Sequence, residues 1–279
     1  MRIVLKSTLS EETAHKTMRI LGRTLALATI LALTLAAPGH ASDTIRLAVQ
    51  KTGTFSWELA AIRASGLDKE ADLALDVTEL ASPEAGKIAL RAGNADIILS
   101  DWLWVSRERA LGAKLTFYPY SSALGAVMVP ASSPLKTLAD IKCRKLGVGG
   151  GPIDKSWLLL QARMKQDGID LKSDATIVYG APPLIAAKAL DGEMEASLNF
   201  WNFCAQLEAK GFRRLAGIED ILPKLGAKGA VSAVGYVFDE SWAASHKDAV
   251  ARFIAMTRKA KQLLDRAFSI SDHRLDAKT

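Results

Sequence analysis

The chain has 279 residues, 36 Lys and Arg against 30 Asp and Glu for a formal charge of +6, and 49% hydrophobic residues. No Lys/Arg block or RNA-binding motif stands out, so a nucleic-acid role gains little support. Thr24 to Ala37, TLALATILALTLAA, is apolar but shorter than a bilayer span. Arg19 and Arg23 precede it and Gly39-His40-Ala41 follows, the pattern of a secretory signal cleaved after Ala41. A signal-anchor helix is the alternative, and Met18 is an alternative start because it opens a more ordinary n-region. No cysteine follows the run, so no lipid anchor is expected. Removing residues 1–41 takes away five Lys/Arg and two acids and leaves +3. No second segment could span a bilayer. The mature chain, Ser42 to Thr279, reads as a soluble exported protein, large enough for one sizeable domain or two modest lobes.

In chain order, Ile45 to Val49 is an apolar strand, and Lys51-Thr-Gly-Thr-Phe-Ser-Trp57 leads into a helix stopped by Gly66. Thr52 or Thr54 can cap that helix, and Glu58 suits its dipole. Leu75 to Leu80 alternates as a strand, and Ser82-Pro83-Glu84 is a helix start with a capping serine and proline first. Lys87 to Trp104, KIALRAGNADIILSDWLW, is then a helix, a glycine stop, a buried strand and a strand-end loop. After a helix near Leu103 to Leu111, a β-rich run through Val129 leaves the first lobe near Ser122 to Val129. A short capped helix after Ser133-Pro134 leads to the first strand of a second lobe, Lys145 to Val148, and Asp154 can cap the helix that follows. Thr176 to Tyr179 is a strand, Pro182-Pro183 opens a helix ending at Gly192, and Ala196 to Phe200 is the next strand. Ala230 to Phe238 alternates as a β run that can cross back, and Glu240 to Ala267 is largely helical, with SISDHRLDAKT a polar tail. This alternation predicts an α/β protein of two lobes: 42–125 and 234–279 form the first, 126–233 the second.

Ala186 to Trp201, AAKALDGEMEASLNFW, echoes the Lys87 unit without a gap. Gly93 aligns with Gly192, Asp96 with Glu195, Ser100 with Asn199 and Trp102 with Trp201. Coincidence between two ordinary units is the alternative. Ligands of open α/β sheets sit beyond the carboxyl ends of the strands, so both echo loops are expected to face one cleft.

The tryptophans Trp57, Trp102, Trp104, Trp157 and Trp201 all lie at strand ends or in the first turn of the next helix. Two of them, Trp104 and one other, are expected to be packing only; Trp102 and Trp201 are expected to contact a ligand from opposite lobes. Thr54 and Phe55 share the first strand-end loop. Ser82, Ser100, Ser156 and Asn199 stand at helix starts or strand ends, where side chains and free N–H groups hold anions, or else merely cap. Asp101 and Asp154 point instead to a cationic or donor ligand, though Asp154 can be just a cap. Lys51 and Lys155 could neutralise an anion. Asp96 and Glu195 lie inside their strand runs and read as structural.

Catalytic material is sparse. His246 and His273 stand in the C-terminal helical part and tail with no carboxylate and nucleophile beside them. Gly147-Val-Gly149-Gly-Gly151-Pro152 is not a dinucleotide fingerprint, since Pro152 stands where its third glycine belongs. No metal and no cofactor are expected. Cys143 and Cys204 fall at opposite edges of one lobe, which argues against a disulfide.

Ser133 to Gly150, SPLKTLADIKCRKLGVGG, resembles the second-lobe entry of periplasmic solute-binding proteins of the nitrate, sulfonate, taurine and thiamine-precursor family, with Cys143 where glycine is usual. Leu90 to Asp96 is similar to that family's first-lobe signature, and its echo to the second. The resemblance implies a type II periplasmic binding fold, two Rossmann-like lobes joined by two crossing strands. It implies a periplasmic protein that closes on a small solute and hands it to the permease of an ABC importer; a monomer without catalytic activity is expected, and the tryptophans favour an organic solute. Bending is expected near Ser122 to Val129 and Val231 to Tyr236, where Gly125 and Gly235 lie. Two alternatives remain: an enzyme of the same fold that makes the thiamine pyrimidine, and a ligand-sensing subunit of a membrane receptor. Relatives carry more helix after the position of Ala267, so the chain reads as shortened there.

Overall fold

The computed structural model describes residues 42–276, with side chains described to residue 266. The expected signal segment, the choice of start codon and His273 lie outside those residues or their described side chains. The strands are β1 (Asp43–Gln50), β2 (Leu73–Leu80), β3 (Ile97–Asp101), β4 (Leu115–Ser121), β5 (Ala126–Pro130), β6 (Lys145–Gly149), β7 (Thr176–Gly180), β8 (Ala196–Asn199), β9 (Phe212–Gly217) and β10 (Val234–Asp239). The main helices are α1 (Thr54–Ser65), α2 (Pro83–Arg91), α3 (Trp102–Ala110), α4 (Lys155–Gln166), α5 (Pro182–Leu190), α6 (Trp201–Glu208), α7 (Glu240–Ser245) and α8 (Lys247–Asp276).

The strands form two five-stranded sheets of the same design, β2-β1-β3-β10-β4 and β7-β6-β8-β5-β9. In each, the first three strands run parallel because helices connect them, and the fourth runs antiparallel to both of its neighbours. The fourth strand of each sheet arrives from the other lobe: β5 directly after β4, and β10 after β9. The first crossing is residues 122–125. The second holds a one-turn helix (Ile218–Ile221), a 3₁₀ turn (Pro223–Leu225) and an extended stretch before Val234, so the return strand begins later than the alternation from Ala230 suggests.

The echo units superpose in their chemistry. Gly93 and Gly192 end α2 and α5 with φ of 72° and 74°, a torsion glycine adopts without strain. Asp96 accepts from the backbone N–H of Arg46 and pairs with its guanidinium at 2.5 Å. Glu195 accepts from Lys145 N–H and pairs with Arg144 at 3.0 Å. Each acid thus pins the start of its lobe's central strand, far from the carboxyl ends.

Each lobe buries its own core. In lobe one, Leu47, Phe55, Leu59, Ile62, Ile97 and Phe253 lie under one face of the sheet, while Ile98, Trp104 and Val237 fill the other. In lobe two, Val127, Leu146, Val148, Trp157, Leu160 and Met164 do the same. Cys143 and Cys204 are unpaired. The helix expected to end near Ala267 continues to Asp276, because no glycine or proline interrupts FSISDHRLD. Among the described residues, no helix is long and apolar enough to cross a membrane.

Candidate functional site

A cleft between the lobes encloses about 950 Å³ outside the protein atoms, part of it open to solvent. Lobe one supplies the start of α1 (Gly53, Thr54, Phe55), the first turns of α2 (Ser82, Gly86, Lys87) and the end of β3 (Ser100, Asp101). Tyr120 and the crossing residues Ala123 to Gly125 form its base. Lobe two closes it with Asp154, Lys155, Phe200, Trp201 and Asn202. Apart from the crossing residues, most are strand ends or the first turns of helices.

The helix starts are not equivalent. Ser82 caps α2 through Ala85 N–H at 3.3 Å, Asp101 caps α3 through Trp104 N–H at 2.8 Å, and Asp154 caps α4 through Ser156 N–H at 2.8 Å. By contrast, α1 and α6 have no side-chain cap. The expected Thr52 or Thr54 cap is not made: Gly53 takes that position, and Ser56 turns its hydroxyl back to the carbonyls of Gln50, Lys51 and Gly53. Among the described residues, the N–H groups of Thr54, Phe55, Trp201 and Asn202 make no hydrogen bond. Two uncapped helices, one per lobe, therefore present free donors and positive dipole ends to the cleft.

Ser100 Oγ is 94% buried at residue level and has no hydrogen-bond partner among the described residues. The Asp101 carboxylate is not free for a cationic ligand, because Lys87 Nζ lies 3.2 Å from it and both side chains are buried. Lys155 Nζ is 3.7 Å from Asp154 and 4.5 Å from the centre of the Phe200 ring. Both acids of the cleft are thus met by lysines of the chain itself.

Of the residues singled out in the sequence, Thr54, Phe55, Ser82, Ser100, Asp101, Asp154, Lys155 and Trp201 border the cleft, and Lys51 and the packing residue Trp104 do not. Five more expected to touch a ligand also lie off it. Trp102 packs against the lobe-two core, held at the return crossing where its N–H meets Ala233 carbonyl at 3.4 Å. Trp157 is fully buried and meets Tyr179 edge-on, and Ser156 is buried beside it. Asn199 is used internally: its amide donates to Pro182 carbonyl and accepts from Phe200 N–H, both at 2.9 Å. Trp57 stands at the rim, where its ring meets Trp201 of the other lobe edge-on at 6.0 Å. The aromatic facing Trp201 is therefore Trp57 rather than Trp102. Asn202 also reaches across, its amide 3.4 Å from Thr52 carbonyl.

Lys87 and Tyr120 escaped the sequence reading. Lys87 carried a signal, since it shares the inner face of α2 with Pro83, Gly86 and Leu90, where an unpaired lysine does not belong. Tyr120 is one tyrosine in an alternating run and carried none.

Two lobes, each with a central parallel sheet and a shared cleft at the strand ends, define the class of two-lobe periplasmic binding folds. A family model described as NMT1/THI5 like matches residues 61–264, and the chain belongs to that family. No curated protein matches it by sequence. Among solved structures it is similar to the alkanesulfonate-binding protein SsuA from Xanthomonas axonopodis pv. citri bound to MOPS, at 22% identity and TM-score 0.66 over 84% of this chain and 78% of that one. It is also similar to the aliphatic sulphonate-binding protein SsuA of Escherichia coli, at 20% identity and TM-score 0.64 over 82% and 76%. The substrate-binding protein of a methionine transporter from Streptococcus pneumoniae shares the fold at 14% identity and TM-score 0.57 over 80% and 92%.

Proposed function

We propose that this protein is the substrate-binding component of an ABC importer, exported to the periplasm, cleaved after Ala41, monomeric and without chemistry of its own. It would capture a small organic solute between its lobes and deliver it to a membrane permease. The observation that carries this reading is the pair of uncapped helix starts, α1 and α6, facing one cleft from opposite lobes. The cleft lysines are already balanced by Asp101 and Asp154, so an anionic head is met by oriented N–H groups and the Ser100 hydroxyl rather than by net charge. Trp201, Phe200 and Tyr120 leave apolar ring surface for an organic body. The sulfonate-binding proteins of like fold support a sulfonate or similar acid.

The test is a thermal-shift screen of the purified mature chain with alkanesulfonates, taurine, aromatic acids, pyrimidines and betaines. A specific ligand raises the melting temperature as the logarithm of its excess over Kd. Stabilisation by an organic anion, without turnover, is the expected result. Turnover of the bound compound would overturn the non-catalytic part, and selective stabilisation by betaines alone would overturn the anion.

A further inference from the structure

Charge in the cleft is balanced, but its hydrogen-bond donors are not. The two lobes repeat one device: an aspartate caps a helix with one carboxylate oxygen and turns the other toward a lysine. Asp101 Oδ1 accepts from Trp104 N–H at 2.8 Å, while Oδ2 accepts from Lys87 Nζ at 3.2 Å. Asp154 Oδ1 accepts from Ser156 N–H at 2.8 Å, while Oδ2 lies 3.7 Å from Lys155 Nζ, beyond hydrogen-bond distance. An ammonium carries three N–H donors. Asp101 takes one from Lys87. Among the described residues nothing accepts from Lys155, whose Nζ stands over the Phe200 ring at 4.5 Å. Both lysine side chains are largely buried and both border the cleft.

These unmatched donors fall into two sets, one per lobe. Lobe one offers Lys87, the buried Ser100 hydroxyl and the uncapped start of α1. Lobe two offers Lys155 and the uncapped start of α6, whose N-cap residue is the same Phe200 that lies under Lys155. The remaining lining includes the rings of Tyr120, Phe200 and Trp201. Because the two aspartates cancel the two lysines, only the helix ends, roughly half a charge each, favour a negative ligand. That matches about one negative charge, with a second acceptor that need carry none.

We propose that the cleft takes a two-ended solute, an organic acid with an oxygen acceptor at each end and an apolar middle, each lobe holding one end and Lys155 selecting the acceptor on the lobe-two side. This rests on the reading of the cleft as a solute site and narrows its ligand class. An acid with a methyl at its far end leaves one buried set of donors unmatched, which costs affinity. An ammonium end meets a lysine in either lobe and is repelled.

Three sulfonates of equal heavy-atom count provide the test, titrated calorimetrically at about pH 7, where the amine is charged. Butane-1-sulfonate, 3-hydroxypropane-1-sulfonate and 3-aminopropane-1-sulfonate end in methyl, hydroxyl and ammonium. The hydroxyl compound should bind roughly tenfold tighter than the methyl one, the scale of one hydrogen bond to a charged group, and the ammonium compound should bind weakest. Lys155→Met should bring the hydroxyl-to-methyl ratio to one or below. If that variant fails to fold because Asp154 has lost its cation, Lys155→Met with Asp154→Asn removes both charges, keeps a capping side chain and is read for the same ratio. Equal affinities, a preference for methyl or ammonium, or a hydroxyl preference that survives loss of Lys155 overturns the inference and leaves the solute reading standing. If no sulfonate binds, the sulfonate reading falls, and glutarate against pentanoate repeats the comparison on a carboxylate head. Tighter binding of glutarate that is lost with Lys155 then supports the two-ended solute. Any other result, including no binding, overturns it.

Discussion

Gly125 has no left-handed torsion, yet a Cβ built there would lie 1.6 Å from the Asn199 carbonyl oxygen. Its requirement is close approach between the first crossing and the end of β8. Gly125→Ala should therefore lower the stability read from urea denaturation by about 1–3 kcal/mol or more, the scale of overpacking. Trp201→Ala should weaken solute affinity by about 1–3 kcal/mol with little loss of stability, because the ring is 36% exposed at the cleft. Trp102→Ala should show the opposite pattern in calorimetry and denaturation, since that ring rests on the lobe-two core. Lys87→Met leaves the buried Asp101 without its cation and should cost about 3 kcal/mol or more of stability in urea denaturation. Strand-end and helix-start position was legible for these residues because it follows from local pattern. Side-chain direction was not: Trp102 and Trp201 each begin a helix after an equivalent strand, and only their tertiary surroundings send one to a core and the other to the cleft.

At the scale of elements, the alternation of strand and helix was legible because buried parallel strands are continuous apolar runs closed by glycine, proline and capping residues. The misreading on α1 is instructive. Glu58 looked like a dipole partner from its place in the first turns, but the face it occupies is set by Phe55, Leu59 and Ile62, which turn it into the core against Tyr236. The sign of its effect on stability follows. Its carboxyl lies near 7 when folded against an ordinary 4.5, so the folded state binds the proton more tightly. That contribution is fully present below about pH 4.5 and is lost as pH rises through about 7. Urea unfolding should show wild type gaining up to about 3 kcal/mol on acidification across that window, and Glu58→Gln losing that share of the slope.

For the whole molecule, contacts bridge the rim, Trp57 to Trp201 and Asn202 to Thr52, so this is a closed arrangement. We expect the lobes to part by bending at residues 122–125 and near Val231 to Tyr236, as hinge-closing proteins do. Small-angle scattering should give a smaller radius of gyration with saturating ligand than without. An unchanged radius would count against hinge motion. Two lobes were legible from the repeated units, whereas the order β2-β1-β3-β10-β4 was not, since pairing across so long a separation leaves no local mark.

The exchange of the fourth strand has a consequence for how the chain is made. β10 lies between β3 and β4, so β4 has no neighbour in its sheet until residues 234–239 have been synthesised. Lobe two, whose strands run from Ala126 to Gly217, has all its strands earlier. A nascent chain thus carries an unfinished first sheet until late in synthesis, with the slow, non-local closure that high contact order brings. Under the proposed export, that delay would keep the chain threadable for as long as translocation needs it.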